Sequence, residues 1–356
     1  MKAGKQPVIL FPEEDEVSAP MIPPAAFTRH LAGLAPAALF LFAGCTGPQS
    51  ALQPSGAAAR EVAYLWWAMF WAGTAIFVLV LALLLYPVFR QRARRWRIPP
   101  LQMIVAGGIA LPVVALSILL VFGLRAGSGV SADLPEDAIS IRVTAHQWWW
   151  DIEYVDRRDQ SRNFTTANEL YLPVGQPVEL LLTSSDVIHS LWLPRIAGKI
   201  DLIPTHTNRL VVEAEETGVF RGQCAEFCGL SHAQMAFYAV AVPQEEFEAW
   251  VERQRAPAAP PSTAAIRAGK EAFDASGCVV CHTVRGGGAW GVEGPDLTHL
   301  GSRLTIAAGT FDNTRENIAA WIARNEQMKP GNKMPEFPHL DRETRLSIAA
   351  YLESLQ

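Results

Sequence analysis

No aspartate or glutamate occurs between Val62 and Leu124, although the chain carries 35 acidic residues in 356. Cysteine is nearly as scarce. The five are Cys45, Cys224, Cys228, Cys278 and Cys281, and all but the first fall in pairs with metal or haem spacing, which leaves none for a structural disulfide. Apolar residues make up 50% of the chain, only modestly more than usual, but they are segregated: two long uncharged runs precede residue 125 and nearly all the acidic residues follow. Length alone suggests two or three domains.

Residues 1–44 read as an extension and a leader. Residues 1–20 are polar with an acidic run, and no structure or role can be assigned to them. Met21 looks like a new start, followed by Arg29, His30 and a short apolar run ending in small residues before Cys45. That is the pattern of a secretory signal, too short to span a bilayer. Phe42 to Cys45 resembles a bacterial lipoprotein cleavage box, which makes Cys45 a lipidation candidate; an uncleaved signal is the alternative. Residues 45–61, rich in Gly, Pro, Ser, Gln and Ala, are expected to be a flexible spacer.

Residues 62–125 are expected to form a transmembrane helical hairpin. About 25 uncharged residues run from Val62 to Val88 and begin with Trp66, Trp67 and Trp71, which suits an aromatic interfacial belt. A second uncharged run extends from Ile98 to Leu124, with Pro112 an expected kink. Between them, five arginines in the eight residues from Arg90 to Arg97 should hold the loop in the cytoplasm, so that the residues before Val62 and everything after Leu124 face outward. A buried hairpin in a soluble core is the alternative.

From residue 126 to 252 the pattern changes to short Val-, Ile-, Leu- and Tyr-rich runs with Pro-Gly punctuation, which predicts an all-β antiparallel sandwich. This stretch holds 19 acidic and 8 basic residues, a net charge of −11, able to steer a basic partner or merely to keep the domain soluble. Within it, Cys224 to Met235 reads CAEFCGLSHAQM. Two thiols, an imidazole and a thioether in one loop exceed what an ordinary zinc site uses. Cys224 and Cys228 could bridge two copper ions, with His189 of DVIHS and His232 as terminal ligands and Met235 as a weak axial donor. A disulfide or structural zinc is the alternative, and neither has a use for Met235. Trp148, Trp149 and Trp150 stand in a predicted strand, where Trp148 and Trp150 share a face and Trp149 takes the other.

The order HS, then CxExCxxxHxxM, resembles the binuclear copper A centre of cytochrome c oxidase subunit II, with every ligand position filled. The resemblance implies a cupredoxin-like topology for the sandwich. It implies that Glu226 gives its main-chain carbonyl to one copper and its carboxylate to a magnesium shared with subunit I. It also points to Trp148 as the site where electrons arrive, against plain packing. Members of that family often carry a glutamate in the second helix for proton uptake, and none stands here.

Residues 253–264 have the composition of a linker. In residues 265–356, Cys278-Val279-Val280-Cys281-His282 is the CxxCH pattern of covalent haem c attachment, with His282 on the iron. GPDL at Gly294 and KPGNKMP near the end resemble segments of small cytochromes c, which makes Met334 the distal ligand and Met328 its competitor. Helices are predicted over 264–276, 313–325 and 342–355, giving an all-α module. This module holds 10 basic and 11 acidic residues, so tethering rather than charge is expected to bring it to the sandwich.

Together these features resemble subunit II of caa-type cytochrome c oxidases. The resemblance implies passage of electrons from haem c to copper A and on to subunit I, where oxygen is reduced and protons are pumped. It further implies a bacterial inner-membrane location with both soluble modules outside. Expected partners are subunit I and other oxidase subunits, cytochrome c or another donor, and membrane lipid, with no nucleic acid. A nitric oxide reductase subunit and a copper storage or delivery protein are the alternatives, and storage has no need of a covalent haem.

Overall fold

A computed structural model describes residues 47–89, 99–128, 134 and 138–356. The leader, Cys45 and the arginine loop lie outside the described residues.

Helix α1 (Ala57–Phe89) has 33 residues, about 50 Å at 1.5 Å per residue, more than a bilayer core requires. It begins ahead of the uncharged run because its first turns belong to the sandwich. Ala59 and Ala63 are buried, and Arg60 pairs with Glu215. The preceding stretch differs from the flexible spacer expected. Gly56 bridges to Ala214, the Ser55 amide donates to the Arg195 carbonyl at 2.6 Å, and the Glu215 amide donates to Ser55 at 2.8 Å. Small residues there permit close backbone approach, and every such bond counts against the freedom their composition suggests.

The second apolar segment comprises α2 (Pro100–Val105), a π-helical turn (Ala106–Ala110) and α3 (Leu111–Ser128). Pro112 has no amide hydrogen to give the turn before it, and the widened turn directly upstream absorbs that loss. Both segments are long and apolar enough to cross a membrane, and their large side chains, such as Leu84 and Leu116, are exposed.

The sandwich consists of β1 (Ser140–His146), β2 (Trp149–Val155), β3 (Phe164–Ala167), β4 (Glu169–Pro173), β5 (Val178–Ser184), β6 (His189–Trp192), β7 (Lys199–Leu202), β8 (Asn208–Val212), β9 (Gly218–Cys224) and β10 (Ala236–Val242). They form two five-stranded sheets, ordered β3-β2-β1-β5-β8 and β4-β10-β9-β6-β7. The sheets are mixed rather than purely antiparallel: β1 pairs parallel with β5, and β4 with β10. The chain leaves the first sheet after β3, visits the second as β4, and returns as β5 in the direction of β1. Alternation drives the packing, with Ile141, Val143 and Ala145 of β1 buried and Arg142 exposed. Trp150, Leu180, Leu191 and Phe237 fill the space between sheets, each large aliphatic side chain contributing about 1.5–3 kcal/mol. Helix α4 (Gln244–Arg255) closes one end, stacking Trp250 on Tyr171 with ring centroids 4.1 Å apart.

The last module has its own core and three helices, α5 (Ala264–Ala275), α6 (Arg315–Met328) and α7 (Arg342–Glu353). Each starts on a side-chain cap: Thr263, Thr314 and Asp341 accept from the amides of Ile266, Asn317 and Thr344.

Candidate metal and haem centres

Strands β9 and β10 pair antiparallel, and the loop between them carries the thiols. Its ends are pinned where the Cys224 amide donates to the Met235 carbonyl at 2.8 Å, and the Ala225 amide donates to Ser190 of β6 at 2.9 Å. The second bond draws the loop against the strand that opens with His189.

The two sulfurs lie 3.8 Å apart. On one side of the pair are His189 Nδ1, 3.8 Å from Cys224 Sγ, and the Glu226 carbonyl at 3.2 Å. On the other are His232 Nδ1, 3.6 Å from Cys228 Sγ, and Met235 Sδ at 3.9 Å. Shared thiols with an imidazole and a weak donor on each side make two donor sets, which fits a pair of soft metal ions better than one tetrahedral zinc. The Glu226 side chain itself is exposed.

The electrostatics agree with that fit. Cys228, with His189, holds the Cys224 thiol well below its ordinary value. Cys228 is pushed up, by Cys224 first and then by burial. One thiol ionises and its charge keeps the proton on the other, so a cation between them is what would let both be thiolates. Burial lowers the His189 pKa, but contacts with Cys224 and Asp186 outweigh it and the net shift is upward. Asp186 Oδ1 lies 2.9 Å from His189 Nε2, so Nε2 carries the hydrogen and Nδ1 faces the thiols. Sequence reasoning passed over Asp186, although it stands three residues before His189 in DVIHS.

Trp148 is placed differently from the expectation. Strand β2 starts at Trp149, and Gln147 and Trp148 form the turn from β1. Trp150 points into the core, while Trp149 stacks on His146 with ring centroids 4.4 Å apart. Trp148 is buried, and its indole Nε1 donates to the Cys228 carbonyl at 3.0 Å beside Gln147 Nε2 at 2.8 Å.

In the last module Cys278–Val280 forms a 3-10 turn, and the His282 amide donates back to the Cys278 carbonyl at 3.1 Å. His282 Nδ1 donates to the Pro295 carbonyl at 2.9 Å, which leaves Nε2 as the lone-pair nitrogen for an iron. Burial keeps that imidazole neutral and pushes the Cys278 thiol up to about 11. A side chain at Gly294 would stand 2.6 Å from the imidazole, so only glycine fits. Met334 packs against the module's core, and its sulfur accepts from Trp321 Nε1 at 3.1 Å. Met328 is not among the side chains packed on that core. Half-buried thiols, a preset imidazole and a core-facing thioether fit a covalent haem.

Two families match the chain: "Cytochrome C oxidase subunit II, periplasmic domain" over residues 157–242 and "Cytochrome c" over 266–356. Cytochrome c oxidase subunit 2 of Alkalihalophilus pseudofirmus is 36% identical over 261 residues, covering 73% of this chain and 72% of the relative. That of a Bacillus species (strain PS3) is 32% identical over 271 residues, covering 73% of each. Among solved structures, the periplasmic domain of subunit II of cytochrome oxidase from Bradyrhizobium japonicum is 33% identical, with a TM-score of 0.32, covering 35% of this chain and 97% of that one.

Proposed function

The chain belongs to the cytochrome c oxidase subunit 2 family, and from that membership we propose that it is the subunit through which electrons enter a respiratory terminal oxidase, passing from haem c to binuclear copper A and on to subunit I for oxygen reduction coupled to proton pumping. Cys224 and Cys228 would bridge the coppers, with His189 and the Glu226 carbonyl completing one position and His232 and Met235 the other. Cys278 and Cys281 would hold the haem covalently, with His282 and Met334 on its iron. Bound there, copper and iron supply one-electron exchange between neighbouring oxidation states.

The protein's share is to hold the donors still. Asp186 fixes the His189 tautomer, Pro295 fixes that of His282, and burial of the thiols keeps water away. The exposed Glu226 carboxylate is available to a magnesium at the face met by subunit I. Trp148, bonded to the Cys228 carbonyl, is the contact through which electrons reach the copper loop. The two apolar helices anchor the chain in the bacterial inner membrane with both modules on the outer face, and Cys45 takes the lipid. An unmodified peptide spanning Gly44 and Cys45, found by mass spectrometry of the purified subunit, would refute cleavage and lipidation together.

The observation that carries this reading is the two-sided donor set around sulfurs 3.8 Å apart. Metal analysis and electron paramagnetic resonance of the subunit test it. Two coppers per chain with a mixed-valence signal are expected, and a single copper, or zinc, would overturn it.

A further inference from the structure

The face of the sandwich over Trp148 is covered by the chain's own cytochrome module. Lys329 is 2% exposed, and its ammonium reaches out of its own module. Nζ donates to the carbonyls of Trp148 at 2.7 Å and Gln234 at 2.9 Å, both on the sandwich, and to that of Ala307 at 2.9 Å. Around it lie further short hydrogen bonds, and one ion pair crosses the same face, Lys333 Nζ to Asp186 Oδ2 at 3.5 Å. Ser231 Oγ donates to the Pro330 carbonyl at 2.6 Å, Thr310 Oγ1 donates to the Gln234 carbonyl at 3.2 Å, and the Ala236 amide donates to Ala308 at 3.0 Å. Gly331, at φ +78°, packs against Trp148, where an added side chain would stand 2.9 Å from the indole ring.

A tether that only raised local concentration would require none of this. Three carbonyls converging on one buried ammonium make a specific seat, because removing the donor takes a bond from the Trp148 carbonyl and leaves those of Gln234 and Ala307 to share the Thr310 hydroxyl. The linker is held as well, with the Ala258 amide on the Arg285 carbonyl at 2.8 Å and Arg285 Nη2 on that of Gln254 at 2.6 Å.

We propose that the cytochrome module is held on the copper sandwich in one specific seat rather than by its tether alone, and that Lys329 is the positioning residue that seats it. The seat also makes a continuous contact path from Lys329, on the loop that carries Met334, through Trp148 to Cys228. This deepens the copper and haem reading and rests on it.

A specific protease site inserted between Pro261 and Ser262 in the intact oxidase tests the seat. After cleavage and a high-salt wash, the carboxy-terminal fragment is followed by immunoblot, so that loss of docking is distinguished from an unloaded cofactor. The wild-type fragment should stay with the membrane, and Lys329→Met should release at least about tenfold more, equivalent to about 1.4 kcal/mol. Before cleavage, the haem-to-copper rate should ignore added viscogen in the wild type and fall with it in Lys329→Met, since only an unseated module must diffuse. Should Lys329→Met fail to take up haem, Thr310→Val, which loses one bond across the same seat, carries the comparison. Full release of the wild-type fragment, equal retention in wild type and variant, or a viscosity-dependent wild-type rate would each overturn the proposal.

Discussion

Each copper-loop sulfur has a different environment, and substitutions should separate them. Cys224 and Cys228 are the only thiols near His189 among the described residues. Serine at either should therefore abolish copper binding, whereas Met235→Leu should keep two coppers and shift the potential, because the thioether is the weak donor of its side. Inductively coupled plasma analysis and potentiometry check both outcomes. Asp186→Ala should lower copper affinity by about 10–100-fold, since the His189 ring loses the acceptor that sets its tautomer; competition against a chelator reads this directly. The ligands were legible because soft donors at close spacing are rare in any sequence. Asp186 was not, because an acidic residue in an acidic domain carries no signal until the fold aims it.

The turn between β1 and β2 shows why elements were harder to place than ligands. Gln147 and Trp148 include neither glycine nor asparagine, so nothing marks a two-residue reversal, and the tryptophans read as one continuous strand. The segment before α1 misled in the opposite way. Small polar residues suggested freedom, yet Gly56 and Ser55 bond to the sandwich backbone. Helices α5, α6 and α7 were readable from apolar spacing, with shifts of a few residues at their ends. From within α6, Trp321 reaches the sulfur of Met334 in the loop that follows. Met334→Ala should accordingly remove the sulfur-to-iron charge-transfer band in the oxidised visible spectrum, and Met328→Ala should leave it. The reverse would exchange the two assignments.

At the scale of the whole molecule, the seat between modules contains a second buried group, and its ionisation sets how the seat responds to pH. Glu169 opens β4 on the sandwich, and its carboxylate accepts from the Leu304 amide of the cytochrome module at 2.5 Å. Burial raises its pKa from 4.5 to about 7, against the opposing pull of Arg303 and the bonded amides. When the module lifts away, Glu169 regains water and its ordinary value. Between those two values the seated form holds a proton that the lifted form has lost. The contribution of Glu169 is thus fully present below about pH 4.5 and declines as pH rises through about 7, by on the order of 3 kcal/mol at most. Asp151, raised to about 7 by burial, acts in the same direction. Lys329, lowered to about 7 by burial with Cys228 opposing, acts only above that pH, where the seated amine sheds its proton first and seating recovers. Retention of the cleaved cytochrome fragment should therefore fall between pH 5 and pH 7. Glu169→Gln, which keeps the shape and an acceptor but cannot ionise, should remove about half of that fall and leave the share of Asp151. A profile as steep in Glu169→Gln as in the wild type would assign the pH response to other groups.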